Sequence, residues 1–107
     1  MMIEVRLTYD DDQLVAFQMT GHADAGPYGQ DIVCSAASVL AINTVNCLER
    51  IAGVHPQVTA DTDNGGLMKV TVNGPLPEKA ATIMAVFDQG IRDVAQSYRD
   101  HIRVTQN

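Results

Sequence analysis

Residues 32–51 read IVCSAASVLAINTVNCLERI, and the architecture turns on what that run is. It holds no glycine or proline. Asp31 stands before it as an N-cap, and Gly53 and Pro56 lie beyond it as stop signals, so the run reads as a helix from about Ile32 to Ile51. Its apolar residues, from Ile32 and Val33 through Val39, Leu40 and Ile42 to Leu48, go round most of the circumference. A helix apolar on nearly every side is covered on several of them. In so small a chain one of those sides is expected to meet a second copy, which makes a homodimer.

Working outward, strands lie on both sides of this helix. Met2 to Thr8 alternates Ile3, Val5 and Leu7 against Glu4, Arg6 and Thr8, the period of a half-buried strand. Three adjacent aspartates, Asp10 to Asp12, mark a turn. From Gln13 to Thr20 the alternation resumes, with Val15, Phe17 and Met19 on one face and Leu14 and Ala16 on the other. Beyond the helix, Gln57 to Thr62 and Leu67 to Asn73 flank Asp63-Asn64-Gly65-Gly66, a strong hairpin signal. Pro77 and Glu78 open a second helix. Ala80, Ile83, Met84, Phe87, Ile91, Val94 and Tyr98 form its apolar face, with Lys79, Asp88, Arg92 and Gln96 outward. Ile102 to Thr105 adds a short edge strand. The order β-β-α-β-β-α(-β) predicts an α+β fold, a mostly antiparallel sheet of four to five strands with two helices, in a single domain over 1–107.

The balance of 13 acidic against 7 basic residues, a net charge of −6, argues against nucleic-acid binding, which needs a basic face. It suits a basic partner instead. No run of apolar residues is read as a membrane span, and the first ten residues alternate like a strand rather than a leader, so a cytoplasmic protein is expected. The two cysteines match neither a zinc ribbon nor a Cys-x-x-Cys redox pair.

The chemistry centres on Cys34 and His22. A thiol attacks only as thiolate, of which a free cysteine with a pKa of about 8.5 carries a few per cent at neutral pH. A helix N-terminus favours the anion through its unpaired N–H groups and partial positive charge. With the helix starting at about Ile32, Cys34 falls in its first turn, where its own N–H would help hold an oxyanion. His22, after Gly21 at the end of the second strand, is the base. Cys47 lies thirteen residues on and, at about 100° per residue, faces roughly the opposite side; it reads as a core cysteine. His55 and His101 read as surface residues. Cys34 and His22 are too few for a metal site, and no cofactor is expected. Asp31 reads first as the cap and second as an orienter of His22. Gly26, Tyr28, Gly29 and Gln30 form a Gly/Pro-rich loop that is expected to touch substrate.

Gly21-His22-Ala23, then Gly29, then Asp31-Ile32-Val33-Cys34-Ser35-Ala36-Ala37-Ser38 resembles the signature of the bacterial ribosomal-processing cysteine proteases, the Prp family. Length, element order and the loop resemble that family over essentially the whole chain. The resemblance implies an endopeptidase with a Cys-His dyad that removes the N-terminal extension of a large-subunit ribosomal protein. It also implies a homodimer. Cys34 stands at the position of the nucleophile, His22 at that of the base, and Asp31 at the acidic position ahead of the cysteine. Ser35 and Ala37 replace the alanine and branched residue more usual there, without touching the dyad. Two other readings of the residues stay open: a non-catalytic ribosome-assembly partner that binds a basic segment, and an acyltransferase using the same dyad.

Overall fold

The structure, a computed structural model, describes residues 2–21, 28–61 and 66–107, with residues 28–31 described by backbone only. His22 and Gly26 therefore lie outside the described residues, as do the side chains of Tyr28, Gln30 and Asp31.

Seven elements follow one another: β1 (Ile3–Asp10), β2 (Gln13–Thr20), α1 (Tyr28–Arg50), β3 (Gln57–Asp61), β4 (Leu67–Thr71), α2 (Glu78–Ser97) and β5 (Ile102–Gln106). The five strands make one sheet in the order β3-β4-β2-β1-β5. All neighbours are antiparallel except β1 and β5. The expected α+β order is what forms, and the last strand is indeed an edge. Its parallel pairing follows from the connection: α2 carries the chain across the sheet and returns it in β4's direction, as a helical crossover does.

Both helices contribute to one core. Ile3, Val5, Leu7, Met19, Val70 and Ile102 of the sheet pack with Val33, Ala37, Ala41 and Leu48 of α1 and Ala80, Met84, Phe87 and Ile91 of α2. Phe17 stacks on Phe87 with ring centroids 3.9 Å apart. Glu4, Arg6, Lys69 and Arg103 are exposed, so the alternation read in β1 holds. The helices approach closely where Gly90 meets Leu40. A Cβ there would lie 3.2 Å from a Leu40 methyl, so a small residue suits the crossing.

Three expectations are corrected. In β2 the pairing runs Thr8 to Ala16 and then Tyr9 to Leu14, which leaves Val15 as an extra residue. A bulge shifts side-chain phase by one, so Leu14 rather than Val15 joins Phe17 and Met19 in the core. The carbonyl of Val15 accepts the N–H of Val72 at 2.8 Å.

Second, α1 starts at Tyr28, not at Ile32. Asp31 is therefore inside the helix and not its N-cap, and Tyr28, Gly29 and Gln30 form its first turn rather than a loop. Pro27 precedes α1 in the chain just as Pro77 precedes Glu78 in α2, where it is the N-cap at φ −58°. Proline presets a helical φ and lacks an N–H that the first turn does not need. Gly29 costs a helix only about 1 kcal/mol. The C-terminal end agrees with the reading: Gly53 takes φ +66°, and Val54 N–H closes on the Leu48 carbonyl at 2.9 Å.

Third, Ile32–Arg50 is long and apolar enough to cross a bilayer by length and composition, although no span was read there. Here its inner stripe lies in the core, while Ile32, Val39 and Ile42 are 40%, 65% and 54% exposed. Buried Thr44 satisfies its hydroxyl within the helix, donating to the Leu40 carbonyl at 2.7 Å.

Candidate active site

Cys34 lies six residues into α1 from Tyr28, nearly two turns at about 3.6 residues each. The helical ladder commits its N–H to the carbonyl four residues back. Cys34's own N–H is therefore no oxyanion donor; the N–H groups left open by the ladder are those of the first turn, residues 28–31. The side chain is half-buried and packs on the core beside fully buried Val33 and Ala37. Ser35 and Ile32 on either side are exposed. The thiol thus stands at the border between the helix's inner stripe and its open face, and it is not in a disulfide.

The approach to His22 is fixed by Gly21. This residue takes φ +84°, and a Cβ on it would meet the Met2 carbonyl oxygen at 2.9 Å. Backbone conformation and lack of space both demand glycine. The chain therefore leaves β2 pressed against the start of β1, at the end of the sheet where β4 and β5 also begin. Gly21 and Tyr28 bracket the segment that holds His22.

Cys47 is not the core residue expected. It is half-buried and, with Asn43, Thr82, Ile83 and Val86, lines a hollow of about 120 Å³ between α1 and α2. Its thiol donates to Asn43 Oδ1 at 3.7 Å. His55 is exposed beside Glu49, as read, whereas His101 is half-buried and its carbonyl accepts the N–H of Ile3. Among the described residues no three His, Cys, Asp or Glu side chains converge as metal ligands would.

A polar cluster also joins α2 to the sheet. Asp88 and Arg92, expected to point outward, turn toward the sheet. The Tyr9 hydroxyl donates to Asp88, and Arg92 Nε donates to the same carboxylate at 2.6 Å. Arg92 also reaches the Tyr9 oxygen at 3.1 Å and Gln106 Oε1 at 2.5 Å. Burial first, and then the hydrogen bond to Asp88, raise the Tyr9 pKa above that of an ordinary tyrosine. The hydrogen bonds to Tyr9 and Asp88 raise that of Arg92. Nothing in local spacing pairs Tyr9 with a residue on the far side of the chain.

Residues 2–103 match the profile of the family described as cysteine protease Prp. A ribosomal processing cysteine protease Prp from Staphylococcus aureus is 32% identical over 104 residues, covering 96% of this chain and 97% of the relative. The Bacillus subtilis protein of the same name is 26% identical over 110 residues, with 99% and 98% covered. Among solved structures, SMU.848 from Streptococcus mutans superposes with a TM-score of 0.92 at 31% identity, over 98% of this chain and 93% of that one. The S. aureus ribosomal processing protease Prp in complex with a substrate peptide superposes at 0.91 with 26% identity, over 99% and 100%.

Proposed function

The chain belongs to the cysteine protease Prp family and is a cysteine protease, and from that premise we propose that it removes the N-terminal extension of a large-subunit ribosomal protein, with Cys34 as nucleophile and His22 as base. The observation that carries this reading is the end-to-end likeness to a ribosomal processing protease seen with a substrate peptide. Cys34 packs against the core on one side and is half-buried, so its other side is open to a substrate.

In the first half-reaction the Cys34 thiolate attacks the scissile carbonyl carbon. The tetrahedral intermediate collapses as the C–N bond breaks, and protonated His22 gives its proton to the leaving amine. In the second, His22 takes a proton from water, whose oxygen attacks the thioester carbonyl. The carboxylate product leaves and the thiol returns. With the cap role gone, Asp31 is left with the orientation of His22. The open N–H groups of the first turn of α1, which includes Tyr28, Gly29 and Gln30, supply dipoles for the developing oxyanion. Gly26 and these three residues remain the proposed substrate contacts.

The working form we propose is a homodimer in the cytoplasm, where a ribosomal substrate is made. Ile32, Val39 and Ile42 on α1 and Val86 on α2, 40% to 66% exposed, supply an apolar face for the second copy. The acidic surface suits the basic body of a ribosomal protein.

Mass spectrometry of a ribosomal-protein precursor incubated with the protein tests the reading. One new N-terminus is expected, absent with Cys34→Ala or His22→Ala and present with Cys47→Ala. Cleavage that survives Cys34→Ala sinks the proposal.

A further inference from the structure

β5 forms one edge of the sheet, and among the described residues no strand lies outside it. Which of its backbone groups face outward can be read from its bonds to β1. The N–H of Ile3 donates to the His101 carbonyl at 2.9 Å, and that of Asn107 to the Leu7 carbonyl at 3.3 Å. In a parallel pair alternate residues turn toward the neighbour. The odd-numbered residues of β5 thus face β1, while Val104 and Gln106 turn their N–H and carbonyl groups to the open edge.

Beside this edge runs a groove of about 440 Å³ between β5 and the last turns of α2. Ile102, Val104 and Ala95 supply apolar lining; Arg92, Arg99 and Arg103 supply the charge. The lining contains no carboxylate, in a chain with 13 acids and only 7 bases, so three of the seven cations gather here. They are unequal. Arg103 is paired with Glu4 and Arg92 with Asp88, whereas the exposed Arg99 has no ion-pair partner among the described residues. All three are arginines, whose planar forks match carboxylates two bonds at a time.

An open strand edge, an apolar strip and a row of arginines together describe a receptor for an extended peptide. We propose that the β5 edge and the α2–β5 groove bind an acidic segment of a partner protein as a sixth strand. Its backbone pairs with Val104 and Gln106, its apolar side chains lie along Ala95 and Val104, and its carboxylates meet Arg99 first. RNA fits less well, because a phosphate backbone has no use for an open strand edge and the groove offers no aromatic platform for bases.

The test uses a chain without the Cys34 thiol, so it does not depend on cleavage. A fluorescent peptide alternating valine and aspartate is titrated into the full chain carrying Cys34→Ala, with anisotropy as the readout. Saturable binding is expected, weaker by about tenfold or more when asparagine replaces aspartate or when the protein carries Arg99→Glu. Val104→Pro removes the outward N–H without touching the β1 ladder, and proline is tolerated on an edge strand. Binding should be lost with this variant while the circular dichroism spectrum and the cleavage activity of its Cys34 form are kept. Equal binding of the asparagine peptide, or binding indifferent to both variants, overturns the proposal. So does tighter binding of a uridine oligonucleotide that ignores Val104→Pro.

Discussion

The two helices of this fold each bury an apolar stripe, but they differ in what they leave exposed. α2 places Met84, Phe87 and Ile91 in the core and leaves Val86 as its one large apolar residue in the open. α1 buries Val33, Ala37, Ala41 and Leu48 but turns Ile32, Val39 and Ile42 outward. The difference shows a division of labour. α2 puts most of its large apolar side chains into the core. α1 carries Cys34 at the border of its buried stripe and leaves three larger apolar residues in the open.

The contrast is sharpest between the two cysteines, both on α1 and both half-buried. Cys34→Ala should lower peptidase activity by at least about a thousandfold, as loss of a covalent nucleophile does, and leave the melting temperature near that of the unaltered protein. Cys47→Ala, in the hollow between the helices, should keep activity within about twofold, since surface changes away from special features are usually worth less than about 0.5 kcal/mol. Equal loss from the two would break the assignment.

Stability should divide the helices as activity divides the cysteines. Phe87 is fully buried and stacked on Phe17, so Phe87→Ala should cost about 3–5 kcal/mol in urea denaturation. Val39→Ala on α1 should cost the isolated protomer no more than about 0.5 kcal/mol. A large loss from Val39→Ala at low protein concentration would mean that this face is packed within the protomer after all.

This contrast also explains what could be read from the chain. β1 and α2 were legible because each has one buried face, and alternation or three-four spacing records it directly. The family was legible for a different reason: Gly21-His22 and Asp31-Ile32-Val33-Cys34 join rare residue types at a set separation. The start of α1 was not. Gly26, Pro27 and Gly29 are equally good as a loop or as the entry to a helix, and only packing further along decides. The Val15 bulge needs the register of β1, which no residue of β2 states. Asp88 and Arg92 look like an ordinary outward charge pair until Tyr9 arrives from the other end of the chain.

The open face of α1 yields a milder prediction. Val39→Lys with Ile42→Lys should move the protein toward the monomer in sedimentation at a concentration where the unaltered chain is dimeric. It should do so without lowering the urea midpoint of the monomer. The same pair of charges placed at Met84 and Phe87 would simply unfold the domain, because a buried ammonium without a partner costs several kcal/mol. A dimer that survives the α1 substitutions would put the interface elsewhere.

The smallest effect belongs to the polar cluster that ties α2 to the sheet. Tyr9→Phe removes one donor and one acceptor but leaves Asp88 paired with Arg92 at 2.6 Å and Arg92 bonded to Gln106. The loss should be about 1 kcal/mol or less, the usual net worth of one half-open hydrogen bond. Its pH dependence identifies it. Burial and the hydrogen bond to Asp88 hold Tyr9 in its neutral form in the folded chain, so its folded pKa is above the unfolded value. The stabilisation tied to that shift is fully present below the unfolded value of about 10 and falls away as pH rises through the higher folded value. Urea midpoints measured into the alkaline range should therefore decline less steeply for Tyr9→Phe than for the unaltered protein, with the two curves parallel near neutrality. Identical alkaline slopes would mean that the cluster holds α2 through Arg92 and Asp88 alone.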